Sequence, residues 1–218
     1  MPSSSTERWT EPFRDGWRRW VGANGLDAAA GERWLARLET LYGEPKRHYH
    51  TGAHVLDLLG RMEEVAFERP AEAVAAAYLH DAIYVVGQSD NEAKSADLAR
   101  EALAELGAPG MTERVERAIR ATAAHERVDE PDADLFLDID MAVLGDEPAA
   151  YRRYRDAVMR EYTEVVQREA YLFGRISLFI DPMLERERIF LTDAFAGREQ
   201  QARENLADER EWLQTGGL

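Results

Sequence analysis

The sequence predicts an all-α fold. Apolar side chains recur at three- and four-residue spacing along most of the chain, and Arg, Glu, Ala and Leu are abundant. Strand patterning is absent apart from the short run Ile83 to Val86. The 218 residues suit a single domain with an added helical layer, and 45% hydrophobic residues suffice for a sizeable core. Residues 1–218 are read as one domain, with a core over about 30–145 and a C-terminal helical extension over about 148–215.

Trp9, Phe13, Trp17 and Trp20 fall on one helical face, giving a first helix that stops near Gly22 to Gly25, with its aromatics in the core. A second helix runs from the N-cap Asp27 to Tyr42, carrying Trp34, Leu35, Leu38 and Leu41, and Gly43 to Pro45 breaks it. A third begins near Tyr49 with His54, Val55, Leu58, Leu59, Met62 and Val65. The alanine-rich segment Ala71 to Ala82 is the fourth, its small side chains permitting close backbone approach. Glu92 to Leu106 follows, ended by Gly107. Met111 to His125 is next, with Thr112 as its cap and Val115 where a full capping box needs Glu. Asp129 to Asp134 is expected to be a loop, and Leu135 to Leu144 a helix stopped by Gly145. Beyond Pro148 the chain is expected to be helical to its end, broken once at Asp181-Pro182.

The formal net charge is −15, from 27 basic and 42 acidic side chains. Such a surface repels polyphosphate backbones, so a nucleic-acid polymer is not an expected partner. A small phosphorylated substrate meets the same repulsion and needs local positive charge from a metal, Arg or Lys. The absence of cysteine removes disulfides, thiolate zinc sites and Cys nucleophiles. No run of about 18 apolar residues is present, and Met1 to Glu11 is polar without a secretory apolar stretch, so a cytoplasmic protein without a membrane partner is expected.

Of the five histidines, three crowd into Arg47 to His54 and a fourth stands in Leu79-His80-Asp81. A divalent cation takes a mixed set of imidazole nitrogens and carboxylate oxygens, with positions left open for water or substrate. His54, His80, Asp81 and Asp140, from three helices, would make such a set. His80 and Asp81 close an apolar helix, and Asp138 and Asp140 sit in the apolar run Leu135 to Met141. Carboxylates there need a partner, and a cation supplies one. His50 precedes His54 by four residues and would share its helical face if the helix has started, yet no Glu follows it as the zinc-protease pattern requires. His125 reads either as a general acid or phosphate contact, or as a helix-end histidine meeting the macrodipole. Lysine occurs only at Lys46 and Lys94, both flanking these segments; Lys94 and Arg47 are candidate phosphate contacts, and Glu92 a candidate base or a partner of Lys94.

The order His…His-Asp…Asp resembles the HD superfamily of metal-dependent phosphohydrolases, and most closely a bacterial subgroup of predicted HD phosphohydrolases. The segments that carry the resemblance are Arg47 to His54, Leu79 to Tyr84, Asn91 to Ala96, Leu137 to Gly145 and Ala202 to Leu206, within about residues 30 to 215. It implies an HD-type helical bundle with added N- and C-terminal helices, and one divalent ion (Mn, Fe, Co, Ni, Zn or Mg). It further implies His54 as first ligand, His80-Asp81 as the doublet and Asp140 as the last, Asp138 being the alternative. The implied reaction is water-mediated hydrolysis of a nucleotide, phosphomonoester or pyrophosphate, with Asp81, His125 and Glu92 as catalytic candidates and Arg47, His50 and Lys94 as substrate contacts. A silent metal- or nucleotide-binding regulatory module is the alternative, and a diiron oxygenase a more remote one, since only His125 follows the doublet. The substrate and the oligomeric state, with a homodimer as one option, are left open.

Overall fold

The fold comes from a computed structural model in which residues 5–216 are described, with side chains from Trp9 onward. The first four residues of the polar stretch Met1 to Glu11, and Gly217 and Leu218 at the other end, lie outside the described residues. Every regular element among the described residues is helical, as the periodicity predicts. No helix among them is long and apolar enough to cross a membrane. By packing, the chain forms two compact units, Met1–Leu137 and Asp138–Leu218.

In the first unit, α1 (Ser5–Ala23) packs against α2 (Ala28–Tyr42) and α3 (Gly52–Met62). Its aromatic face is the core, as expected: Trp9, Phe13, Trp17 and Trp20 are all buried. Phe13 meets Tyr78 edge-on at 4.9 Å, and Trp17 meets Tyr78 at 5.2 Å. Aromatic residues can be buried there because their polar tips find carbonyls. Trp17 Nε1 donates to Gly31 O (2.8 Å), Trp20 Nε1 to Ala71 O (2.9 Å), Tyr42 OH to Tyr78 O (3.0 Å) and Tyr78 OH to Phe13 O (3.1 Å).

Asp27 caps α2 by accepting from Ala30 N–H at 2.7 Å. The alanine-rich α4 (Pro70–Leu79) touches α1, α3, α5 (Asn91–Glu105) and α6 (Thr112–Ala121), with Ala73, Ala75, Ala76 and Ala77 buried. Gly107, at φ 79°, takes the left-handed conformation that stops α5.

Several boundaries differ from expectation. Helix α3 starts at Gly52 rather than near Tyr49, because Thr51 takes the cap position. Helix α4 ends at Leu79, three residues early, leaving His80 and Asp81 in the turn beyond it. Thr112 is the first residue of α6 rather than its cap, and α6 stops at Ala121. The expected loop Asp129 to Asp134 is mostly helix: α7 (Pro131–Met141) begins at a proline, and Asp132 accepts from the N–H groups of Glu68 (2.9 Å) and Arg69 (2.7 Å). Ile83 to Val86 is not a strand.

The second unit takes the end of α7, the 3₁₀ turn Ala142–Gly145, α8 (Pro148–Thr163) and α9 (Arg168–Gly174). A π-helix, Arg175–Ile180, runs into α10 (Asp181–Glu185), and the 3₁₀ turn Asp193–Arg198 leads to α11 (Glu199–Gln214). Asp181-Pro182 is not a break. The π-helix continues through it into α10, and the helical runs are interrupted instead at 164–167 and 186–192. Gly145 permits a close crossing, since a Cβ there would stand 2.8 Å from Arg198 O. Asn205 Nδ2 donates to Leu144 O and Asp146 O, both at 2.8 Å, and Arg203 donates to the carbonyls of Leu184, Arg186 and Glu187. The Ala202 to Leu206 segment therefore holds turns together within its unit.

Candidate metal centre

Thr51 Oγ1 accepts from Ala53 N–H at 3.3 Å and starts α3, which puts His54 in the first helical turn, buried. His80 occupies the C-cap of α4, its N–H still bonded to Ala76 O at 2.9 Å. Its ring Nδ1 lies 3.1 Å from Ala77 O. A carbonyl can only accept, so Nδ1 carries a proton and Nε2 is the nitrogen turned toward the other two residues. That nitrogen faces His54 Nε2 at 3.2 Å and Asp81 Oδ2 at 3.0 Å, while His54 Nε2 stands 3.8 Å from Asp81 Oδ2.

Metal–ligand bonds of about 2.1 Å at octahedral or tetrahedral angles set neighbouring ligand atoms roughly 3.0–3.4 Å apart. Two of the three separations match, and the third is within a small side-chain rotation of that range. His54, His80 and Asp81 can hold a metal ion. Their chemistry agrees with the geometry: two imidazole nitrogens and a carboxylate oxygen of intermediate hardness suit a first-row divalent cation. Burial alone would raise the Asp81 carboxyl; the charge and hydrogen bond of His80, with His50 and His54 beyond it, outweigh burial and hold it well below the usual carboxylate range. Asp81 is therefore an anion, as a ligand must be.

Aromatic rings wall the triad. Tyr49 lies 4.8 Å from the His54 ring, Phe136 of α7 meets His80 edge-on at 5.8 Å, and His50 stacks on Tyr84 at 4.0 Å. His50 precedes α3, so the expected shared helical face does not exist, although its ring is still 6.0 Å from that of His54.

The segment that follows the doublet belongs to no helix or strand, and three polar side chains satisfy its backbone. Arg47 Nη1 donates to Asp81 O (2.6 Å) and His50 O (3.2 Å), and its Nη2 donates to Ala82 O (2.9 Å). Ser95 Oγ accepts from Ile83 N–H (3.0 Å) and donates to Ile83 O (3.1 Å). Asn91 Oδ1 accepts from Val85 N–H (3.0 Å), while Nδ2 donates to Val85 O (3.0 Å) and Gln88 O (3.3 Å). Asn91 and Ser95 are expected only as part of the segment Asn91 to Ala96 that carries the resemblance, with no role of their own. Their signal was two polar residues four apart on the same face of α5 as Leu98, Ala99 and Ala102.

The remaining candidates are placed as follows. Arg47, expected as a substrate contact, has a side chain only 3% exposed and turns its guanidinium inward to those carbonyls, with Nε donating to Glu44 at 3.2 Å. Lys94 is exposed and paired with Asp90 at 2.8 Å. Glu92 is half-buried in the first turn of α5. His125 lies four residues beyond α6 rather than at its end, with φ 48°, an uncommon conformation for a non-glycine residue. Asp138 and Asp140 belong to the second unit. Asp138 is buried, and its oxygens accept from Leu191 N–H (2.6 Å), Thr192 N–H (2.7 Å) and Thr192 Oγ1–H (2.6 Å). Burial raises its carboxyl above the ordinary value although these donors pull it down. Asp140 is half-buried in the last turn of α7, four residues after Phe136 and so on the same helical face.

Asp138 thus holds a loop. Asp138→Ala leaves those donors unsatisfied and should cost about 1–3 kcal/mol in thermal unfolding while metal content stays at the wild-type level. Lost metal with unchanged stability would instead make Asp138 a ligand.

Compared with protein-family models, with curated proteins and with solved structures, the chain matches none.

Proposed function

We propose that this chain is a metal-dependent phosphohydrolase of the HD type, acting on a small phosphorylated compound such as a nucleotide, phosphomonoester or pyrophosphate. The observation that carries the reading is the convergence of His54 Nε2, His80 Nε2 and Asp81 Oδ2 from separate segments, with the His80 tautomer fixed from behind. Two buried imidazole nitrogens 3.2 Å apart are best satisfied together by a cation between them. A divalent ion bound there supplies a lowered pKa to its water and polarises a phosphoryl oxygen. His54 and His80 would hold that ion, and Asp81 would offer one carboxylate oxygen to it and the other to orient a water.

Asp140 is the proposed fourth ligand, on the sequence pattern alone. His50, stacked on Tyr84 beside the triad, is the proposed substrate contact. The protein is proposed to work in the cytoplasm.

The test is phosphate release from a panel of nucleotides, phosphomonoesters and pyrophosphate by protein loaded with manganese or zinc. Hydrolysis that EDTA abolishes and added metal restores is the expected result. Calorimetric binding of a panel member without turnover would favour a regulatory module. Neither binding nor turnover across the panel would refute both.

A further inference from the structure

We infer that Arg47 is a positioning residue of the metal centre, clamping the His54 approach segment to the Asp81 turn. The inference rests on reading the triad as a metal site. One guanidinium joins these two stretches of backbone, bonding His50 O, Asp81 O and Ala82 O, across 34 and 35 residues of sequence to the last two. The guanidinium carbon lies over the Tyr42 ring at 5.4 Å and the Tyr84 ring at 5.6 Å.

Such a group is a poor choice for stability alone. Its charge is desolvated, and its carboxylate partner Glu44 is 47% exposed, so the ion pair returns little of that cost. What the planar fork provides is direction. Several N–H vectors at fixed angles set the carbonyl planes of residues 50, 81 and 82, and the plane at residue 81 helps set where the Asp81 carboxylate points. Ser95 and Asn91 hold the chain from Ile83 onward, so loss of Arg47 should free the Asp81 end of the turn while leaving the rest anchored.

The experiment compares wild type, Arg47→Met, Arg47→Lys and His80→Ala. Zinc affinity is measured by calorimetry, the visible spectrum of the cobalt-loaded protein is recorded, and the melting temperature and circular dichroism of the metal-free forms are followed. Outer residues that orient ligands typically contribute 10–100-fold in metal affinity. Arg47→Met should weaken zinc binding by about that factor and shift the cobalt bands, with the metal-free fold retained. Arg47→Lys keeps the charge but not the fork, so it should fail to rescue either property. A folded Arg47→Met protein with wild-type zinc affinity and cobalt spectrum overturns the inference while the triad reading stands on the His80→Ala result. If both Arg47 variants fail to fold, the residue belongs to the fold and the positioning role is likewise overturned. Wild-type protein that binds no zinc or cobalt removes the triad reading and this inference with it.

Discussion

His80→Ala protein should remain helical and lose tight metal binding, with affinity for zinc or manganese falling by more than about 100-fold. The fold should survive because the core around α4 is built from Ala75, Ala76, Ala77, Tyr78 and Leu79 against the aromatic face of α1, and the imidazole at the cap adds little to it. Affinity should fall further than the 10–100-fold typical of outer residues because His80 Nε2 stands at the shortest distances of the triad, 3.2 Å from His54 Nε2 and 3.0 Å from Asp81 Oδ2. Without it, one nitrogen and one carboxylate remain in the first unit. Metal content after desalting, set beside far-ultraviolet circular dichroism, measures both parts. A helical variant that keeps its metal would show the ligands to be elsewhere.

The second large effect concerns stability and lies in the other unit. Arg175 opens the π-helix with its side chain 8% exposed, and its partner Glu209 is fully buried. Arg175 Nε donates to Glu209 Oε1 at 3.0 Å, its Nη2 reaches Glu209 Oε2 (3.3 Å) and Tyr154 OH (3.0 Å), and Tyr151 OH also donates to Glu209. Glu209→Ala strands the guanidinium and the Tyr151 hydroxyl in a dry interior. Removing one partner of a buried ion pair typically costs about 3–5 kcal/mol. For comparison, the pair Arg18–Glu32 at 2.7 Å is open to solvent on both sides and should contribute little. Urea unfolding of Glu209→Ala and Glu32→Ala should separate the two cases. Equal small losses would mean that water reaches Arg175 freely.

Much of this organisation is legible in the sequence, and the differences have a common origin. The aromatic face of α1, the Asp27 cap and the Gly107 stop are local signals, and local signals locate helices well. The start of α3 is set locally, by the Thr51 cap, whereas the end of α4 differs from expectation because its deciding groups are distant in sequence. Ala82 is a good helix former, yet the carbonyls of Asp81 and Ala82 are taken by Arg47, and Ile83 and Val85 are held by Ser95 and Asn91. Propensity loses to side chains that satisfy the backbone outside a helix. The inward turn of Arg47 could not be read for a related reason: an arginine in a histidine-rich motif looks the same whether it faces solvent or carbonyls. Asp138 and Asp140 posed the same difficulty. Both are acidic residues in an apolar run, and only the bonds from Leu191 and Thr192 reveal that the first of them holds a loop.

The decisive measurement is anomalous diffraction at the zinc or manganese edge from crystals of metal-loaded protein. One peak about 2.0–2.3 Å from His54 Nε2, His80 Nε2 and an Asp81 carboxylate oxygen is the predicted result. A peak elsewhere, or none, with the two imidazoles hydrogen-bonded to each other, would contradict it.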